Sequence, residues 1–245
     1  MGVVVIILAA VYGAAVGFGL PRAAYRLSVE PGEPWRTLCP DGHPVGGWFG
    51  AARCGPQGPD GRPAAYGGSR WPPAAVCAAV CGVLGAAGGV RPEAAVFVGA
   101  APVCVLLGMV DLAVHRLPDV LTLPLAAATA ALLGVAALLP GAAGSWRGAL
   151  LGGAALGAAY LALFLINPAG MGLGDVKLAL PLGVALGWYG WGVWAAGAFL
   201  GLFYGAVYGL GALLTSRATR KTGFAFGPFM AAGTLSGVLL GGFGA

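Results

Sequence analysis

The feature that most constrains this chain is how rarely charge interrupts it. Apolar runs at about 74–90, 94–114, 119–139, 146–166, 174–189, 191–215 and 226–244 follow one another across short polar breaks, and another precedes them at 2–20. A helix needs about 20 apolar residues to cross about 30 Å of hydrocarbon, and several of these runs lie near the short limit. The breaks at 90–94 and 189–191 are the least marked. Only 9% of the 245 residues are charged and 59% are apolar, whereas soluble domains carry about 25% charged residues. The expected fold is therefore all-α, a polytopic membrane helix bundle of about eight transmembrane helices with one cytoplasmic loop region. The 46 glycines suit helices that pack closely through small residues.

Three units follow. Residues 1–20 form a first transmembrane helix. Residues 21–73 form a cytoplasmic loop, and 74–245 a seven-helix membrane core. The first run has no basic residue before it, and Arg22 and Arg26 follow it. A cleaved signal peptide carries its charge in front, so this run reads as a retained helix. The loop holds Arg22, Arg26, Arg36, Arg53, Arg62 and Arg70 against Glu30, Glu33, Asp41 and Asp60. Its Gly55–Gly68 portion is poor in apolar residues and is expected to be poorly ordered. With eight crossings and both termini outside, these six arginines plus Arg116, Lys177, Arg217, Arg220 and Lys221 fall on the cytoplasmic side. Only Arg91 and Arg147 fall outside, the asymmetry of the positive-inside rule. The net charge of +5 is then an orientation signal. No basic run interleaved with aromatics points to nucleic acid.

After residue 93, three acids lie within or beside the apolar runs: Asp111, Asp119 and Asp175. Charge at membrane depth costs about 2.5–3.5 kcal/mol per residue, so each invites a functional reading. Asp175 sits in Gly170-Met171-Gly172-Leu173-Gly174-Asp175-Val176-Lys177-Leu178, where glycines permit positive φ and close approach. Its structural alternative is an N-cap of the next helix. Asp119, after Pro118, has the same excuse and is read as a cap. Asp111 falls near the end of a run, where the helix dipole opposes it. Two crossings separate Asp111 from Asp175, so both reach the same face. Two adjacent carboxylates can share one proton, which suits acid–base hydrolysis of an amide without metal or serine. Lys177 either holds a carboxylate ionised or snorkels to the interface; the second is preferred.

These residues carry a resemblance. Gly172-Leu173-Gly174-Asp175 with Val176-Lys177-Leu178 resembles the GxGD motif of the type IV prepilin leader peptidases, membrane aspartic proteases. Asp111 with Leu117-Pro118-Asp119 and Leu121-Thr122-Leu123-Pro124 resembles that family's first aspartate motif. Phe226-Gly227-Pro228-Phe229 resembles its C-terminal signature, and Gly17 with Tyr25-Arg26-Leu27 the end of its first helix. The resemblance implies a multi-pass endopeptidase of the bacterial inner membrane. It would remove basic leaders from prepilins, or from pseudopilins of type II secretion or competence, at the cytoplasmic face. Asp111 and Asp175 would be catalytic, with Gly172, Gly174, Lys177, Pro118, Gly227 and Pro228 as motif support. No cofactor is required for proteolysis. Many members also methylate the new N-terminus with S-adenosylmethionine, and then carry two zinc-binding CxxC pairs in the first loop. Here Gly42 and Gln57 stand where second cysteines are expected. Cys39, His43 and Cys54 leave three donors, one short of a usual zinc site. The sequence favours a decayed site without metal.

The alternative reading is a small transporter that uses the same aspartates as a proton or cation relay, which would need them near mid-bilayer. Cys77, Cys81 and Cys104 read as small core hydrophobes. His115 reads as interfacial, and Trp188, Trp191 and Trp194 as an outer aromatic belt. Substrate identity and oligomeric state are left open by the sequence.

Overall fold

A computed structural model describes residues 2–30, 32–54, 65–168, 170–215 and 225–245. Among these the fold is all-helical: α1 (Gly2–Leu27), α2 (Trp71–Gly88), α3 (Pro92–Val114), α4 (Asp119–Ala136), α5 (Trp146–Ile166), α6 (Leu173–Trp188), α7 (Trp191–Leu214) and α8 (Gly227–Gly244). Two isolated bridges, Leu38 with Pro44 and Arg53 with Ala65, are the only β pairing among the described residues.

Six helices, α1 to α5 and α7, are long and apolar enough to cross a membrane. The other two expected spans are helices as well, but α6 has 16 residues, about 24 Å at 1.5 Å each. Their setting explains why they can be short or glycine-rich. α6 packs against α4, α5, α7 and α8, and every residue from Pro181 to Trp188 is buried. α8 packs against α2, α3, α6 and α7. Each packs against four other helices, so neither need match the bilayer alone.

Hydropathy misplaces one boundary. α1 does not stop at Leu20 but runs through Pro21 to Leu27, so the loop is 28–70. The polar last turns continue because the loop covers them. Arg22 Nη1 donates to Gly46 O at 2.6 Å and Arg26 Nη1 to Gly47 O at 2.7 Å. The Arg26 guanidinium also lies 4.0 Å above the Trp48 ring. From the other side Arg116 Nη1 reaches Glu30 O at 2.9 Å. Most of the Gly55–Gly68 portion, with Gln57 and Arg62, lies outside the described residues, as do Arg217, Arg220 and Lys221. The two faint breaks are sharp in the structure because Gly89 (φ +58°) and Gly190 (φ +99°) take left-handed backbone that most residues avoid.

Small residues bring the backbones together, as packing without a hydrophobic driving force requires. A Cβ on Gly152 would lie 2.6 Å from Gly183 O, and one on Gly187 2.9 Å from Gly152 Cα, so α5 and α6 touch through their main chains. Gly17 meets Ala74 in the same way between α1 and α2.

The described basic residues are sorted by end. Arg22, Arg26, Arg36, Arg53, Arg70, Arg116 and Lys177 lie at the end that carries the 28–70 loop. Arg91 lies at the other, donating to Gly242 O (2.9 Å) and Ala245 O (2.8 Å), and Arg147 opens α5 there. Two aromatic and acidic placements depart from expectation. Trp188 is 1% exposed and packs its indole over Gly144, so it belongs to the core and not to a lipid-facing belt. Trp191 remains 56% exposed. Glu93 is a fully buried acid that the sequence reading did not count; its Oε1 accepts from Ala143 N at 3.2 Å. Cys77 and Cys81 are buried as expected.

Candidate active site

Asp111 lies one turn before the end of α3 and is 4% exposed. The dipole of α3 opposes a carboxylate there. The opposition is offset from another helix: Gly227 N, at the start of α8, donates to Asp111 Oδ2 at 2.9 Å. The positive end of α8 thus faces the negative end of α3, with the carboxylate between them. A Cβ on residue 227 would come 2.8 Å from Asp111 Oδ2, so glycine is what admits the carboxylate. Pro228 follows in the first turn of α8, where a missing N–H costs nothing. α3 ends at once because His115 takes left-handed backbone (φ +50°) as its C-cap.

Asp175 is the third residue of α6, not its N-cap; Gly172 holds that place. The Asp175 carboxylate reaches back, with Oδ2 accepting from Gly172 N at 3.1 Å, while Asp175 N donates to Gly172 O at 3.1 Å. This is the acidic half of a capping box, the glycine having no side chain to return the bond. The loop glycines do not act through positive φ: Gly172 is extended (φ −84°, ψ 151°). Close approach is what counts at Gly174, where a Cβ would lie 3.0 Å from Leu117 Cβ. Gly174 thereby lets the Leu117-Pro118 segment fold over the start of α6.

The two carboxylates are brought to the same end of the bundle. Leu178, one turn beyond Asp175, and Asp111 both meet the face of Gly227. α4 and α8 each pack against both α3 and α6. Asp111 lies near enough to Asp175 to act on it electrostatically. No hydrogen bond joins the carboxylates among the described residues, and within that set each has Oδ2 on one backbone N–H and no partner on Oδ1. Tyr160 of α5 was missed from the sequence. It is 4% exposed, lies within electrostatic reach of Asp175 and packs its ring 6.2 Å from that of Phe226. Its only signal was a lone phenol in an apolar run.

The remaining acid has a different task. Pro118, not Asp119, is the N-cap of α4; its carbonyl accepts from Leu121 N (3.0 Å) and Thr122 N (3.1 Å). Asp119 instead binds Lys177 through both oxygens, at 2.8 and 2.7 Å. Lys177 therefore neither snorkels alone nor pairs with Asp111 or Asp175. It ties the first turn of α6 to the first turn of α4.

Beside Asp111 opens an apolar groove of about 580 Å³ between α2, α3, α4, α6 and α8. Gly108, Leu112 and Pro228 line its end nearest Asp111, and Phe97 and Val238 its far end. Along α3, Phe97 to Leu112 spans about 22 Å at 1.5 Å per residue. A groove of that length fits a helix better than a compact ligand.

In the loop, Cys39, His43 and Cys54 meet. The two sulfurs are 3.0 Å apart, and His43 Nδ1 lies 3.1 Å from Cys54 Sγ and 3.7 Å from Cys39 Sγ. The Cys39 thiol is drawn down to about 7 by its hydrogen bond with Cys54, against the opposing effect of burial and with help from His43. Asp41, which the sequence reading passed over, joins them: one donor atom from each of the four lies within 4.8 Å of the others. Two thiols, an imidazole and a carboxylate suit zinc.

The helices thus gather two aspartates at one end of the bundle, with a lengthwise apolar groove beside Asp111. Residues 98–214 match the type IV leader peptidase family. The segment contains both Asp111 and Asp175. Over 98 residues the chain is 39% identical to the prepilin leader peptidase/N-methyltransferase of Bacillus subtilis (strain 168), covering 40% of this chain and 38% of that relative. No solved structure matches the chain.

Proposed function

We propose that the chain is an aspartic endopeptidase that removes basic leaders from prepilins or pseudopilins. The observation that carries this is that Asp111, held by the first turn of α8 beside the apolar groove, lies within electrostatic reach of Asp175. The apolar helix of the substrate lies in the groove, and the junction with its leader reaches the carboxylates. One ionised carboxylate takes a proton from water as the water oxygen attacks the scissile carbonyl carbon. The other, protonated, hydrogen-bonds the carbonyl oxygen and stabilises the charge that develops there. When the C–N bond breaks, the proton taken from water passes to the leaving nitrogen. The Oδ1 atoms, without a hydrogen bond among the described residues, are left for this work, while the two backbone N–H bonds hold the Oδ2 atoms. Gly227 and Gly172 are thus positioning residues, and Lys177–Asp119 fixes α6 against α4.

The basic end, which carries the loop and both carboxylates, faces the cytoplasm of a bacterial plasma membrane by the positive-inside rule. Both carboxylates sit at helix ends, which supports hydrolysis at a water boundary over a relay through mid-bilayer. The relative's name joins methyl transfer to proteolysis; for this chain the proposal covers peptide-bond hydrolysis. Asp111→Asn and Asp175→Asn should each abolish cleavage of a peptide with a basic leader, a glycine junction and an apolar helix, in proteoliposomes, while inserting normally. Full cleavage by either variant sinks the proposal.

A further inference from the structure

We infer that Tyr160 is a further catalytic residue for the proposed hydrolysis: its hydroxyl and Oδ1 of Asp175 hold the attacking water between them, which makes Asp175 the base and Asp111 the acid. The inference rests on the proteolytic reading and goes beyond it by giving each aspartate one task. Helix register places the phenol. A Cβ on Gly148 would lie 2.8 Å from Gly187 O, and one on Gly152 2.6 Å from Gly183 O. α5 and α6 therefore run antiparallel, and each turn gained along one is a turn lost along the other. Two more such turns bring Tyr160 opposite Asp175. Gly157 keeps to the same line, since a Cβ there would lie 3.4 Å from Leu180 Cγ. The ring is fixed from the other side as well. It packs 6.2 Å from the ring of Phe226, the N-cap of α8. α7 backs Phe226 closely, for a Cβ on Gly205 would lie 2.6 Å from Phe226 Cε2. Gly227, next in the chain, holds Asp111. Tyr160 thus joins the two helix starts that serve the carboxylates.

Three features favour this role over simple packing. The first is uncommitted polarity. Tyr160 is buried, yet its hydroxyl makes no hydrogen bond among the described residues, and neither does Asp175 Oδ1. Buried hydroxyls are normally paired, so a phenol kept here in place of a phenyl ring calls for a partner, and hydrolysis supplies water. The second is asymmetry about the groove. Gly108, Leu112 and Pro228 line it around Asp111, whereas α6 first contributes Pro181, more than a turn beyond Asp175. Tyr160 lies outside its lining. A substrate helix in the groove therefore presents its junction to Asp111, with Asp175 and Tyr160 set back behind it. The third is donor complement. A neutral phenol donates to the water oxygen, and a carboxylate accepts a water proton, so the two together orient one water. In the reaction the water oxygen bonds to the carbonyl carbon as its proton passes to Asp175 Oδ1. Asp111 gives its proton to the carbonyl oxygen. On collapse the C–N bond breaks, the carbonyl oxygen returns its proton to Asp111, and Asp175 passes its proton to the leaving nitrogen. Tyr160 keeps its own proton throughout and contributes only a hydrogen bond.

The test uses the full chain in proteoliposomes and the peptide with a basic leader, a glycine junction and an apolar helix. Tyr160→Phe keeps the ring over Phe226 and removes only the hydroxyl. Its kcat should fall by at least about tenfold, with KM unchanged. An unchanged kcat overturns the inference. So does a raised KM at wild-type kcat, which would make the phenol a binding group. A second measurement stands if the phenylalanine variant does not fold. With 3-fluorotyrosine incorporated at position 160, the fluorine resonance should move when a peptide with a non-cleavable reduced amide at the junction binds. A resonance that the bound peptide leaves in place overturns the inference. Asp111→Asn and Asp175→Asn run in parallel separate the two levels. If both abolish cleavage while Tyr160→Phe keeps the wild-type kcat, the role of Tyr160 fails and the proteolytic reading stands. Full cleavage by either aspartate variant sinks both.

Discussion

At the scale of the residue, the site depends on which atom each carboxylate offers to the backbone. Asp111 and Asp175 each commit Oδ2 to one N–H, from Gly227 and from Gly172. The Gly227 contact is the more exposed to substitution, since a methyl there would stand 2.8 Å from the Asp111 oxygen. Gly227→Ala should push the carboxylate off its N–H. Cleavage should fall by at least about tenfold, the effect of losing roughly 1.4 kcal/mol of positioning, while insertion and helix content stay normal. A variant with unchanged kcat/KM would show that the bond does not orient Asp111. The Asp119–Lys177 pair is more modest energetically. Both side chains are well exposed, at 58% and 34%, and such pairs contribute about 0–1 kcal/mol. Its value lies in register between α4 and α6.

At the scale of the element, the groove and the glycine contacts decide what the helices can do. Asp111 is one turn from Gly108, whose Cβ would sit in ordinary contact with Pro228 Cγ at 3.7 Å. Alanine therefore fits there, but a longer side chain enters the groove. Gly108→Leu should raise KM for a substrate with an apolar helix and leave cleavage of a short, helix-free leader-junction peptide little changed. Equal loss on both peptides would mean that the groove does not seat the helix. Helix existence was legible because hydropathy is a local property, and seven of eight runs end within about three residues of the observed ends. α1 escaped by seven residues, since its polar last turns are stabilised by Gly46 and Gly47, far along the chain. Trp188 was misread for the same reason: nothing near it in sequence says that Gly144 leaves room for an indole.

At the scale of the whole molecule, the sorted charges set orientation. If the basic end is cytoplasmic, a phosphatase fused after Gly141 should be active and a fluorescent protein fused after Pro168 should be bright. The reverse pattern would turn the active end outward and remove the leader of a cytoplasmic precursor from its reach. Among the described residues, sequence by itself determined the number of helices, the end at which each basic residue lies and the arrival of Asp111 and Asp175 at one end of the bundle. Those follow from hydropathy and from counting crossings, which need no knowledge of neighbours. Only the tertiary structure decided that α8 supplies the N–H that holds Asp111, that Lys177 takes Asp119, and that Asp41 joins Cys39, His43 and Cys54. Each of these joins side chains or segments through space, where the pairing is set by packing, not by any pattern along the chain.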